Sequence, residues 1–285
     1  MTKRIPVLLA GLPGKMATLL AQRFVSSACY ELIPYALTGA EITKDVVKIP
    51  AGYSGIAQTK YFIATMIKPL ERDKFIGEIL RKWPNLIAID FTQPSAKLEN
   101  CRFYCKHNIP FVMGTTGGDN FELASIVTQS SISAVIAPNM SAPIVMLMDM
   151  FIYAASNYPG VLRDWEIRIT ESHQAGKADV SGTALAIGDL MKKLGVNFTK
   201  ENIRSVRDEI EQRIIGIPEF AITGHGWHKY SLISPNNEYL SFEHNINGRD
   251  TYVEGTLLAA NFLAGKIAES VQGGHFSMMD VLRGR

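Results

Sequence analysis

Hydrophobic residues fall into two regimes along the chain. Through the first 140 residues, short apolar runs that end in glycine or a polar turn alternate with segments of helical period. RIPVLLA (4–10), LIPYALT (32–38), YFIATMI (61–67), IAIDFT (87–92), PFVMGTT (110–116) and AVIAPN (134–139) read as buried strands. KMATLLAQRFVSSA after Gly14, PLERDKFIGEILRK (69–82), SAKLENCRFYCKHN (95–108) and a short stretch near 120–130 read as helices. Near-continuous apolar strands alternating with helices predict a parallel sheet covered on both faces.

After residue 140 the rhythm changes. A helix at 142–157 is followed by WEIRITESH (165–173), whose alternation predicts a half-exposed strand. The helix TALAIGDLMKKLG (183–195) comes next. FAITGHGWHKYSLISP and LSFEHNI then pair as antiparallel strands around PNNE. DTYVEGTLLAANFLAGKIAE (250–269) is a helix best packed on the first domain. The expected architecture is a Rossmann-type doubly wound α/β domain from 1–138 and 250–285. A second α+β domain with an open mixed or antiparallel sheet occupies 139–249.

Composition narrows the function classes. At 285 residues, with 47% hydrophobic and 20% charged residues, the chain suits two globular domains. Twenty-nine basic residues against 27 acidic ones leave a net charge of +2, too balanced for a nucleic-acid or membrane-surface partner. The run APIVMLMDMFIYAA is interrupted by Asp149, and MTKRIPVLLAGLPGKM breaks into Gly-Leu-Pro-Gly before it could serve as a signal peptide. Cys29, Cys101 and Cys105 form no disulfide framework, which points to a reducing compartment. A cytoplasm is the direct reading, and a plastid stroma the alternative if a transit peptide has been removed. Cys101 and Cys105, four apart on one helix face, read as core thiols. His225 and His228 in GHGWH have no evident third ligand, so no metal is expected.

Three constellations carry chemistry. In AGLPGKMA (10–17) Gly11 ends the first strand and Gly14 opens the first helix, with Ala17 where a dinucleotide fingerprint has its third glycine. The amides of Gly14, Lys15 and Met16 would cradle a pyrophosphate at the positive helix end. The second strand ends at Thr38, where such sites usually carry an acid for the ribose diol; a hydroxyl there favours NADPH over NADH, or acceptance of both. The alternative is that Glu41 reaches back. GTTGG (114–118) and APN (137–139) stand at strand ends on the edge where doubly wound sheets bind ligands, which makes Gly114, Thr115, Thr116, Ala137, Pro138 and Asn139 candidates. In ESHQAGKADVSGT (171–183), Ser181 caps a helix whose first amides, with Gly182 and Thr183, can hold an anion. Lys177 adds a cation and His173 a group able to move protons near neutral pH. The bland alternatives are an ordinary cap and a surface histidine packed on Glu171. Arg249, in EHNINGR with His244, is a second carboxylate partner or a surface ion pair.

In order, AGLPGKM, DFTQPSA (90–96), FVMGTTGGD (111–119), APN, ESHQAGKADVSGTA and HNINGRDTYVEGT (244–256) resemble the dihydrodipicolinate reductase family over essentially the whole chain. FVMGTTGGD, ESHQAGK and the ending MMDVLR are similar to its plant-type branch. The segment departs from the common bacterial pattern, with Gln174 where a second histidine is usual and Asp179-Val180-Ser181 one residue short. Ala17 for the third glycine, and APNMSAPI around the nicotinamide strand, are further departures.

The resemblance implies hydride transfer from NADPH or NADH to C4 of a ring dicarboxylate, with His173 giving the completing proton or orienting a water. It implies that Lys177, Ser181, Gly182 and Thr183 clamp one carboxylate, with Thr116, His244 and Arg249 nearby. It also implies that Phe91, Thr92 and Met140 line the cofactor site, that the second domain closes over the cofactor, and that copies assemble through its sheet, favouring a dimer over a tetramer. Two readings stay open beside it: a dehydrogenase of another small diacid or semialdehyde, and a non-catalytic NADPH sensor.

Overall fold

The computed structural model describes residues 4–54 and 58–285, so the first three residues of the N-terminal stretch lie outside it. Two compact units result: Met1–Ser141 with Tyr252–Arg285, and Ala142–Thr251.

The first unit opens with β1 (Ile5–Ala10), α1 (Lys15–Val25), β2 (Tyr30–Leu37), β3 (Val46–Ser54) and β4 (Gln58–Ile67). It continues with α2 (Arg72–Lys82), β5 (Ile87–Asp90), α3 (Lys97–Lys106), β6 (Phe111–Met113), α4 (Asn120–Thr128) and β7 (Ala134–Ile136). The chain then makes α5 (Ala142–Asn157), β8 (Glu166–His173), α6 (Gly182–Lys193), β9 (Ile203–Val206), α7 (Glu209–Ile214), β10 (His225–Ile233) and β11 (Tyr239–Asn247), which belong to the second unit. It returns through α8 (Asp250–Ala268), β12 (His275–Phe276) and α9 (Met278–Arg283).

Eight strands of the first unit run in the order β12-β7-β6-β5-β1-β2-β4-β3. All pairings are parallel except that of β3 with β4 at the edge. The order reverses between β1 and β5, and their carboxyl ends form the crevice where this class of sheet binds ligands. Strands β5, β6 and β7 are short and buried throughout, and Leu8, Ile33, Ala88 and Phe111 from four strands join Ile76, Cys101 and Tyr104 from the covering helices in one core. Burying each large aliphatic side chain stabilises by about 1.5–3 kcal/mol. Strand β3 was not expected: KIPAGYS mixes proline and glycine with few apolar residues, which an edge strand tolerates. The loops GTTGG and APN follow β6 and β7, which end earlier than expected.

In the second unit four strands lie in the order β11-β10-β8-β9, antiparallel except for β8 with β9. One face packs on α5 and α6 through Ile167, Ile169, Ile187, Met191, Tyr230 and Leu232. The alternation of β8 puts Ile167, Ile169, Glu171 and His173 on that same face. A carboxylate and an imidazole therefore extend a row that begins in the core. Among the described residues no helix is long and apolar enough to cross a membrane.

Candidate active site

The cofactor-binding half is built at the crevice of the first unit. Gly11 leaves β1 at a φ of +108°, and a Cβ there would collide with the Phe91 carbonyl at the end of β5. Only glycine permits both the conformation and the approach. A cavity of about 450 Å³ opens beside it, lined by Gly11, Gly14, Thr38, Glu41, Phe91 and Thr92 among others. The expected cradle needs one correction. The Gly14 amide donates to the Gly11 carbonyl at 2.8 Å, so the free amides at the start of α1 are those of Lys15, Met16 and Ala17. These donors, the bare backbone at Gly11 and the cavity fit a dinucleotide pyrophosphate.

Thr38 is a second correction. Its buried hydroxyl donates to the Leu12 carbonyl at 2.6 Å and is not presented to a ribose. The Glu41 carboxylate folds back over the strand end, where a Cβ on Gly39 would collide with it. Arg72 lines the same cavity, with Nη1 on Asn100 at 2.7 Å and Nη2 on the Thr38 carbonyl at 3.4 Å.

The strand ends are tied by groups that the sequence did not single out. Asp90, wholly buried, accepts from the Thr92 amide and hydroxyl, the Thr115 hydroxyl, Asn100 and Tyr104, all within 3.1 Å. Lys97 donates to the Gly117 carbonyl at 2.6 Å and to Asn120 at 2.9 Å, fixing the GTTGG loop. Burial lowers the pKa of its ammonium, and Asp90 offsets part of that effect. Gly114 gives the Phe91 ring its place, since a Cβ there would meet it. Thr116 is exposed, Ala137 is bonded through its amide to the Met113 carbonyl, and Asn139 caps the Ser141 amide at 2.9 Å. Pro138 is exposed and Met140 buried.

The second unit carries its own cluster of candidate groups. Glu171 is fully buried and its two oxygens take four donors. His173 Nδ1 lies 2.6 Å from Oε2, Arg207 reaches both oxygens at 3.0 and 2.6 Å, and Ser205 Oγ lies 2.5 Å from Oε1. Burial pushes this carboxyl upward, yet the hydrogen bonds from His173, Arg207 and Ser205 outweigh it and hold the group ionised, well below the usual carboxylate range. Gly226 stands directly opposite His173 in the β8–β10 register, and a Cβ there would lie 3.3 Å from Nε2. The missing side chain leaves that nitrogen its room.

Lys177 sits in the turn after β8, its amide on the Gln174 carbonyl at 3.0 Å. Among the described residues its ammonium has no hydrogen-bond or ion-pair partner. Ser181 caps α6 by accepting from the Ala184 amide at 3.4 Å, as its place in the sequence predicted, while Gly182 is exposed. Thr183 follows in the first turn. His244 lies one strand away from His228 in register and stacks on it at 4.5 Å. Arg249 leaves β11 with its guanidinium over Gly224.

His228, which the sequence offered only as half of an unpersuasive metal pair, belongs with this group. Its Nε2 is 2.7 Å from Ser181 Oγ and its ring sits edge-on to His173 at 5.2 Å. Burial, followed by the neighbouring His244 and His173, holds it well below the ordinary histidine range and therefore neutral; burial brings His244 down to about 4. Among the described residues no three His, Cys, Asp or Glu are grouped to hold a metal ion. Arg207 was also missed: it follows β9, 28 to 36 residues from Asp179, Lys177 and Glu171, and no local pattern announces it.

The first unit carries a dinucleotide crevice on a doubly wound sheet; the second carries an oriented histidine, an ammonium without a partner among the described residues and a helix start, the groups that a nicotinamide-dependent oxidoreductase of an anionic substrate needs. Comparison with known proteins agrees. Residues 5–140 match the family description "Dihydrodipicolinate reductase, N-terminus", and residues 144–282 its "C-terminus" counterpart. The chain belongs to the dihydrodipicolinate reductase family. A probable 4-hydroxy-tetrahydrodipicolinate reductase 1, chloroplastic, of Oryza sativa subsp. japonica is 37% identical over 281 residues, 98% of this chain and 78% of that protein. The 4-hydroxy-tetrahydrodipicolinate reductase 2, chloroplastic, of Arabidopsis thaliana is 41% identical over 217 residues, 75% of this chain and 62% of that protein. Among solved structures, the dipicolinate-bound dihydrodipicolinate reductase of Paenisporosarcina sp. TG-14 shares the fold, with a TM-score of 0.63 at 16% identity over 96% of this chain and 98% of that one.

Proposed function

We propose that this chain reduces 4-hydroxy-tetrahydrodipicolinate to tetrahydrodipicolinate, a step toward diaminopimelate and lysine. The observation that carries the reading is the ionised Glu171 on Nδ1 of His173, beside an unpaired Lys177 and the start of α6. Reduced nicotinamide, when bound, would supply a hydride to C4 of the ring, from which the 4-hydroxyl leaves as water. The protein does the rest with its own groups. Lys15, Met16 and Ala17 amides hold the pyrophosphate, and Phe91, Thr92 and the GTT and APN loops flank the nicotinamide. Lys177, Ser181 and the amides of Gly182 and Thr183 bind one ring carboxylate; Arg249, His244 and Thr116 serve the rest of the ring. His173 delivers the completing proton from Nε2, because its Nδ1 hydrogen is held by Glu171.

Both nicotinamides are accepted in this reading. The Glu41 carboxylate over Gly39 suits a ribose diol, whereas Arg72 in the same cavity offers a cation toward a 2′-phosphate. The face of the four-stranded sheet away from α5 and α6 carries Arg168, Lys229 and Glu243, both signs on adjacent strands, and is the face proposed to join two copies in a dimer. The reaction belongs in a compartment that makes lysine by this route, a bacterial cytoplasm or a plastid stroma.

The test supplies the condensation product of aspartate semialdehyde and pyruvate through the upstream synthase and follows the loss of reduced-nicotinamide absorbance. Product-dependent consumption of NADPH and NADH, inhibited by dipicolinate, is expected. Cofactor binding without turnover would overturn the reading.

A further inference from the structure

Arg207 touches the two parts of the substrate-binding half that must act together. Its guanidinium grips Glu171 through both terminal nitrogens. It also donates from Nε to the Lys177 carbonyl at 2.9 Å, from Nη2 to the Asp179 carbonyl at 3.2 Å, and from Nη1 to its neighbour Val206 at 2.9 Å. All five N–H donors of a guanidinium have a fixed fork geometry, so fixing one edge fixes the other. Glu171 transmits this order to His173, while the two loop carbonyls transmit it to the segment carrying Lys177.

We infer that Glu171 and Arg207 are positioning residues that hold the proton-delivering imidazole and the carboxylate-binding loop in one register. The inference rests on the function proposed above.

The chemistry follows from which atoms carry protons. An ionised carboxylate can only accept, so Nδ1 of His173 keeps its hydrogen whether the ring is neutral or charged. Protonation then occurs at Nε2 alone, on the side that Gly226 leaves open. Neutral His173 presents a bare nitrogen and cannot donate from Nε2; the imidazolium can. Glu171 therefore fixes which nitrogen gives the proton, and Arg207 holds the Glu171 carboxylate in place. The other titratable groups facing His173 are His228 and His225 from β10 and His244 from β11. Burial lowers the pKa of all three, so they carry no charge near neutral pH. Ser205, paired with Glu171 in the β8–β9 register, completes the carboxylate's partners.

The experiment measures kcat and KM across pH for the intact chain, Glu171→Gln and Arg207→Lys, with NADPH affinity as a check that the first unit is intact. Glu171→Gln should lower kcat by about a hundredfold. The shape of the kcat–pH profile should also change, because an amide, which can donate as well as accept, no longer fixes which nitrogen of His173 carries the proton. Arg207→Lys keeps a cation but not the fork, and should raise KM for the ring substrate by about tenfold with unchanged NADPH affinity. A kcat in Glu171→Gln that is unchanged, or reduced equally at every pH, would overturn the assignment. So would an unaltered KM in Arg207→Lys, which keeps the proposal open to refutation should the Glu171 variant not fold. Failure of the proposed function shows itself separately, as an intact chain that does not consume the ring substrate at all.

Discussion

The side chain of Lys177 can be removed without disturbing its surroundings. The turn around it is held through backbone atoms: its amide bonds Gln174 and its carbonyl receives Arg207. Lys177→Ala should therefore leave the loop in place and delete only a charge-assisted contact to a carboxylate, worth about 1.5–3 kcal/mol. We expect KM for the ring substrate to rise by roughly ten- to a hundredfold with NADPH affinity unaltered; steady-state kinetics beside a cofactor titration check both. A proportionate loss of NADPH binding would show that the lysine serves the cofactor instead.

Single residues also mark where sequence reading worked and where it stopped. The Ser181 cap of α6 was legible because capping announces itself within a few positions. The inward turn of the Thr38 hydroxyl to Leu12 was not legible, and Glu41 folding back over Gly39 was foreseen only as the alternative. His228 and Arg207 acquire their roles only through strand register, which places residues thirty to sixty positions apart side by side.

At the level of elements, the ends of β5 and β6 do not hold their loops by backbone pairing alone. Asp90 gathers five donors from the loop after β5, from α3 and from the GTT loop into a buried site. Asp90→Ala should leave Tyr104, Asn100 and Thr115 without that acceptor and destabilise the chain by about 3 kcal/mol or more. Asp90→Asn should fold but bind NADPH more weakly, because one amide cannot accept from every donor that a carboxylate served. Denaturation midpoints and a fluorescence titration of NADPH test this, and unchanged cofactor affinity in Asp90→Asn would count against it. The strands themselves were readable wherever both faces are buried, as in β1 and β5, since apolar runs of four to six residues leave little choice. Strand β3 and the four-residue β9 were not, because an exposed edge and a short polar run carry no period.

Acid should weaken the whole molecule through its buried histidines before its carboxylates. His244 titrates near 6.5 in an unfolded chain and at about 4 when buried. Below about 6.5 the unfolded chain takes up a proton that the folded one refuses, so stability falls as pH drops from about 6.5 toward 4 and then levels. Glu171 acts lower, since a carboxyl held below the usual range loses its contribution only as pH passes beneath that range. Thermal melts from pH 7 to 4 should show the decline, and His244→Phe should flatten it; an equal slope in the variant would assign the effect elsewhere.

The two-unit arrangement was legible from the change of rhythm near residue 140, whereas the pairing of β12 with β7 was not, because two residues make no pattern. That pairing has a consequence for synthesis. The sheet of the first unit ends on His275 and Phe276, beside Ala134 and Val135, and Tyr30 waits for Asn261 at 2.5 Å. A ribosome must deliver all of the intervening 142–251 before these partners exist. The second unit can thus complete itself on the nascent chain while the first is still missing an edge, and the cofactor crevice is finished in a scaffold whose edge strand is made only after the whole second unit.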